Sequence, residues 1–162
     1  MAQTFYATIK GKTQGAFKGQ GTGREKDKIP GVAFTYGVES PRDAASGLPT
    51  GKRQHKPVVF TKEWGAASPQ LYQAIVTNET LTSVLFEFIS TNALGKEEVD
   101  YIVELTNATI SGFRGSLHLG EKAGPIVDSR ELEVITLEFQ KIAVTSVTGG
   151  TSAEDDWETP VV

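Results

Sequence analysis

The sequence predicts a mainly β fold, a β-barrel carrying a single helix. Runs of β-branched and aromatic residues with alternating polarity recur along the chain, and clusters of glycine, proline and asparagine separate them. Only one segment has a helical start signal followed by an apolar stripe at helical spacing.

The elements follow in order. TFYATIK at 4–10 alternates as a first strand, and GKTQGAFKGQGTG at 11–23 reads as turn, short strand and turn. REKDK at 24–28 is an exposed charged connector. VAFTYGVES at 32–40 and KPVVFTKE at 56–63 are the next strands. Ser68-Pro69 then opens SPQLYQAIVTNET with an N-cap and a proline at the first helical position, and Leu71, Tyr72, Ile75 and Val76 form one apolar stripe over about three turns. LTSVLFEFIST at 81–91 precedes two long strand runs, VDYIVELTNATISGF at 99–113 and RELEVITLEFQKIAVTSV at 130–147. In the last run Leu132 and Val134 share one phase, and Ile135, Leu137 and Phe139 the other, which predicts a bulge or burial on both faces. A strand of that length bends, as strands do when a sheet curls into a barrel. From Thr148 the composition turns acidic, so the domain is expected over 1–147, with 148–162 a tail that is mobile unless something docks it.

Composition narrows the function. With 162 residues the chain is the size of one domain and can bury a core without staples. It has no cysteine, which excludes disulfides, thiolate metal sites and cysteine nucleophiles, and its two histidines leave little for a metal. A net charge of −4 argues against a general nucleic-acid binder, and no apolar run is long enough to span a membrane. The opening MAQTFYATIKGK does not read as a signal peptide, so the expected starting compartment is the cytoplasm.

Apparent chemical motifs do not survive inspection. The GKT at 11–13 lacks the glycine a phosphate loop needs, because Tyr6 stands there. Gly19, Gly21 and Gly23 precede no helix, and neither His55 nor His118 sits in a nucleophile context. Glu97-Glu98 and Asp155-Asp156 lie in turn or tail composition, and Glu131 and Glu133, on one strand face, are expected to point to solvent or to a neighbouring chain. No catalytic constellation, cofactor site or metal site is expected.

One stretch remains. SGLPTGKRQHKP at 46–57 gathers Lys52, Arg53, His55 and Lys56 between glycines and prolines, within a loop starting near Ser40. It lacks the aromatics that single-strand nucleic-acid binding uses. Long ordered loops are usually functional, and cations in an acidic protein suit carboxylates on another subunit.

IKGKTQG at 9–15, SPRDAASGLPTGKRQHKPVVFTKE at 40–63, SPQLYQAIVTNE at 68–79, LTNATISGF at 105–113, LEFQKI at 137–142 and DDWETP at 155–160 together resemble, over essentially the whole chain, the haemolysin-coregulated protein family, Hcp, the tube protein of bacterial type VI secretion. One departure is that Ala143 and Val144 follow Lys141-Ile142, where members often carry a tryptophan. The resemblance implies a compact β-barrel of two sheets with one flanking helix, related to phage tail-tube proteins and assembled as a homo-hexameric ring. Stacked rings would form a tube inside a sheath, tipped by a spike protein, secreted through the apparatus, with small effectors in the lumen. With it, Arg42, Gly51, Lys52, Arg53, His55 and Lys56 are expected at a subunit or ring interface, the glycines permitting close backbone approach. Asp155, Asp156 and Trp157 are expected to dock the tail. The alternative is a stand-alone barrel binding a small ligand inside.

Overall fold

In the computed structural model, residues 4–19, 26–119 and 129–157 are described. Alternation in TFYATIKG sets β1 (Thr4–Gly11), which turns Phe5, Ala7 and Ile9 into the core. The chain folds back as β2 (Gly15–Ala16), where Gly15, at φ +73°, takes the left-handed conformation of the turn. Of the 24–28 connector and the glycines before it, residues 20–25 lie outside the described residues.

A strand that alternation did not reveal, β3 (Ile29–Gly31), pairs with β1. Gly31 fits there for lack of a side chain, since a Cβ would stand 2.0 Å from the Phe5 ring. The chain continues as β4 (Ala33–Glu39) and, after the loop, as β5 (Gln54–Glu63), antiparallel to β4.

Helix α1 (Ser68–Val76) differs from expectation at two points. Its N-cap is Ala67, with no side-chain cap, because the Ser68 hydroxyl is engaged in a polar cluster instead. The stripe also splits: Leu71 is buried and Ile75 half-buried, while Tyr72 and Val76 are 58% and 60% exposed and Ala74, outside the expected stripe, is buried. Tyr72 rests edge-on against Phe113, ring centres 5.8 Å apart.

Next come β6 (Leu81–Thr91), β7 (Glu97–Leu119), β8 (Ser129–Ser146) and β9 (Thr151–Asp156). Among the described residues, nine strands form one antiparallel network in the order β2-β1-β6-β7-β8-β5-β4, with β3 on β1 and β9 on β8. Residues 29–39 link the two sides of that order, because β3 pairs with β1 near one end, β4 is the strand at the other end beside β5, and between them the Val32 N–H donates to the Thr61 carbonyl at 2.7 Å. The sheet is thereby wrapped around its core. Phe60, Phe86, Leu105, Ile135 and Leu137 fill that interior, all with no exposed surface. The fold class is mainly β with one flanking helix, as the sequence predicts.

The two phases of β8 have a simple origin. Glu133, Ile135 and Leu137 point inward while Leu132 and Val134 lie half-buried on the other face, and the irregularity in the ladder falls on β7, between Ile110 and Gly112. The expectation for Glu133 is therefore corrected. It is 2% exposed and pairs with the equally buried Lys62, whose Nζ also donates to the Ser68 hydroxyl at 3.1 Å and the Glu63 carbonyl at 2.9 Å. Ser68 in turn donates to Glu133 Oε1 at 2.6 Å. A charge leaves water only with partners of this kind. Glu131, on the same strand, is exposed as expected.

Candidate functional site

Between β4 and β5 the chain leaves the sheet, and every residue from 42 to 52 is exposed. No apolar burial holds this segment, so polar bonds must. The Asp43 carboxylate accepts from the Ser46 hydroxyl (2.7 Å) and amide (2.9 Å), a local turn whose hydrogen bonds hold its pKa below the usual carboxylate range. The Gly47 amide donates to the Asp43 carbonyl at 2.8 Å, and the Thr50 amide to the Pro41 carbonyl at 2.9 Å. Arg42 bridges to Pro49 through the backbone and reaches the Gly47 carbonyl, at 3.4 Å. Leu48 stands 64% exposed at the tip. Gly51 is open on all sides, with nothing within 4 Å of where a Cβ would sit, and Lys52 is exposed.

The base of the loop is tied down by the C-terminal strand. Arg53 grips Asp155 through one edge of its guanidinium, Nε to Oδ2 at 2.5 Å and Nη2 to Oδ1 at 2.7 Å, and Nη2 also donates to the Asp156 carbonyl at 2.9 Å. His55 Nε2 stands 2.6 Å from the same Oδ2, and its side chain is 6% exposed. The imidazole is flanked by Phe139 at 5.4 Å and Trp157 at 4.9 Å. The Trp157 amide donates to the Gln140 carbonyl at 2.9 Å. Lys56 pairs with Glu39 across the β4–β5 ladder at 2.9 Å, both side chains open to solvent. Arg53, His55, Asp155, Asp156 and Trp157 are thus brought together, while Arg42, Gly51 and Lys52 lie apart on the projecting loop. Both Arg53 and Lys56 meet carboxylates of their own chain.

The Arg53 hydrogen bonds hold the Asp155 carboxyl down at about 2, against 3.8 ordinarily; partial burial opposes this and the His55 contact adds to it. A depressed carboxyl stabilises the fold above its ordinary pKa, and that stability is lost as pH falls towards the folded value. Unfolding free energy followed from pH 7 to pH 2 should therefore decline below about pH 4, and Asp155→Asn should flatten part of that decline.

A cleft of about 190 Å³ opens beside this junction, walled by Tyr36 and Val38 of β4, Ile142 and Val144 of β8, and Ala153 of β9. The Tyr36 hydroxyl meets that of Tyr101 at 2.8 Å, and burial together with this bond pushes its phenol up to about 12. Ala143 and Val144, the departure noted above, lie opposite Glu154 and Ala153 of β9. Elsewhere Glu79, 7% exposed, accepts from the Thr13 (3.3 Å) and Gln14 (3.1 Å) amides and secures the β1–β2 turn. Sequence reasoning missed Glu79, the Lys62–Glu133 pair and the part played by Asp43. Lys62 shares the inward phase of Val58 and Phe60, which was the signal available for it. His118 lies in β7 opposite Arg130, away from this junction. Among the described residues, no group of histidine, aspartate and glutamate is arranged to hold a metal ion, and no helix is long and apolar enough to cross a membrane.

The family model described as "Type VI secretion system effector, Hcp" matches residues 6–145. The major exported protein of Pseudomonas aeruginosa is 36% identical over 171 residues, covering 99% of both chains. A crystal structure of an Hcp protein superposes with a TM-score of 0.89 at 27% identity, over 98% of this chain and 100% of the other. The secreted protein Hcp3 from Pseudomonas aeruginosa gives 0.76 at 29%, over 98% and 100%. A chain matched from end to end in sequence and in fold belongs to the Hcp family of type VI secretion proteins.

Proposed function

We propose that this protein is the structural subunit of the type VI secretion tube. Six copies form a ring, rings stack into the tube that sheath contraction expels behind a spike, and small effectors travel in the lumen. It is made in the cytoplasm and leaves through the apparatus, acting by assembly and not by turnover. One observation carries this reading: the match over 99% of both chains to an exported protein, in a chain that also superposes on an Hcp crystal structure.

The geometry supports it. A closed ring needs two different surfaces per subunit that fit one another. The 42–52 loop projects from the barrel with an apolar tip at Leu48, and Val38, Leu94 and Leu119 are 57%, 84% and 72% exposed elsewhere on the chain. The barrel as a container for a small ligand is disfavoured, because aromatic and aliphatic side chains fill its interior.

The test is export. In a strain with an active apparatus the protein should accumulate in the culture supernatant, and deleting the sheath should keep it in the cells. Release that is indifferent to the sheath would contradict the proposal.

A further inference from the structure

We propose that β9 is a latch that sets the pose of the 40–53 loop, with Asp155 as its positioning residue. The consequence for assembly rests on the tube reading above; the latch itself does not.

Two strands share one edge of β8. β5 occupies Leu132 to Leu137 and β9 occupies Lys141 to Ser146, so the start of β5 and the end of β9 meet end to end over the gap between. At that meeting point one carboxylate, Asp155, receives Arg53 and His55 together. Trp157 closes over the imidazole and is itself hydrogen-bonded to Gln140 inside the gap. Arg53 is the last residue of the loop and His55 lies one residue into β5. The β5 foot of the loop is thus bolted to a different strand.

The other restraints cannot do this. The Asp43 turn and the Thr50 bond are internal to the loop: they fix its shape and not its direction. The Glu39–Gln54 ladder pair ties the two feet of the loop to each other but to nothing beyond β4 and β5, and the Lys56–Glu39 ion pair is solvated on both sides, where such pairs contribute little. A bidentate guanidinium–carboxylate pair in a part-buried setting is geometrically specific. Loop direction therefore depends on whether β9 is seated.

The chain has no cysteine, so a spin-label pair can be placed cleanly in the full-length protein. Leu48→Cys at the tip and Thr82→Cys on β6, labelled and diluted into excess unlabelled protein, report the tip-to-barrel distance by pulsed electron resonance. A narrow distribution is expected with Asp155 present. Asp155→Asn should leave the barrel folded by circular dichroism and widen the distribution at least about twofold, as a loop released at one foot would. Asp155→Glu, which keeps a carboxylate, should stay closer to the parent. Arg53→Gln is the second variant should Asp155→Asn not fold. A distribution unchanged in Asp155→Asn, or in Arg53→Gln where that carries the test, overturns the latch. Widening with undiminished ring formation upholds the latch and removes the loop from assembly. Widening with rings lost in the variant but present in the parent upholds both the latch and its consequence for assembly, whereas a parent that itself never forms rings overturns the tube reading and leaves the latch to the distance measurement.

Discussion

Glu133→Ala is expected to lower the unfolding free energy by about 3–5 kcal/mol, because it strands a charge in the interior. Lys62 Nζ would keep the Ser68 hydroxyl and the Glu63 carbonyl but lose the only carboxylate it pairs with among the described residues. With its side chain 1% exposed, water cannot replace that partner. Urea titration measures the effect. The double variant Lys62→Met, Glu133→Leu removes both charges and should recover most of the loss, ending within about 1–2 kcal/mol of the parent or above it. If the single and double variants were equally unstable, the cost would lie in packing around β8 and not in the unpaired ammonium.

Phe86→Ala should cost a comparable amount, about 3–5 kcal/mol. Its ring has no exposed surface and stands among Phe34 at 4.8 Å, Phe60 at 5.3 Å and Phe5 at 6.5 Å. Those rings come from β1, β4 and β5, so the cavity would open where the two ends of the sheet are drawn together by residues 29–39. The neighbouring rings cannot collapse into it without shifting three strands. Thermal unfolding followed by near-ultraviolet circular dichroism should show a lower midpoint and weakened aromatic signal. A loss below about 1 kcal/mol would mean that this junction repacks freely, contrary to the dense packing expected of an interior.

The strands and the helix were legible because alternation and a helix-start proline are local signals. LTSVLFEFIST matches β6 residue for residue, and Pro69 lies in the first turn of α1. β3 was not legible: three residues with a proline and a glycine carry no period, and its partner is set by the Gly31–Phe5 contact. The buried pair escaped for a related reason. Glu133 reads as a surface residue beside Glu131, and only the in-phase Lys62, 71 positions earlier in sequence, shows that the inner face carries a compensating charge. Leu132 and Val134 likewise look like a second core face, although they are only half-buried.

The candidate site was legible in its parts and not in its partners. Arg53, His55 and the acidic end stand out by composition, but they are about a hundred positions apart, and no local pattern pairs them. The acidic run from Thr148 has the composition of a tail, yet Thr151–Asp156 forms β9, because its backbone bonds are made to β8 whatever its side chains are. Sequence reading placed Arg53 and Lys56 opposite carboxylates of a neighbour, and here each has one within its own chain. The exposed Arg42, Leu48, Gly51 and Lys52 give the loop a polar stem with an apolar tip, and Lys56 stays open to solvent beside Glu39.

If six copies of this chain close into a ring, as proposed above, its mass in solution will show it. Purified protein should be weighed by native mass spectrometry and light scattering across a wide concentration range, with negative-stain images of the same samples. The expected result is a six-subunit species that images as rings with a central hole and grows into stacks as concentration rises. A monomer at every concentration, with no rings on the grid, would contradict it.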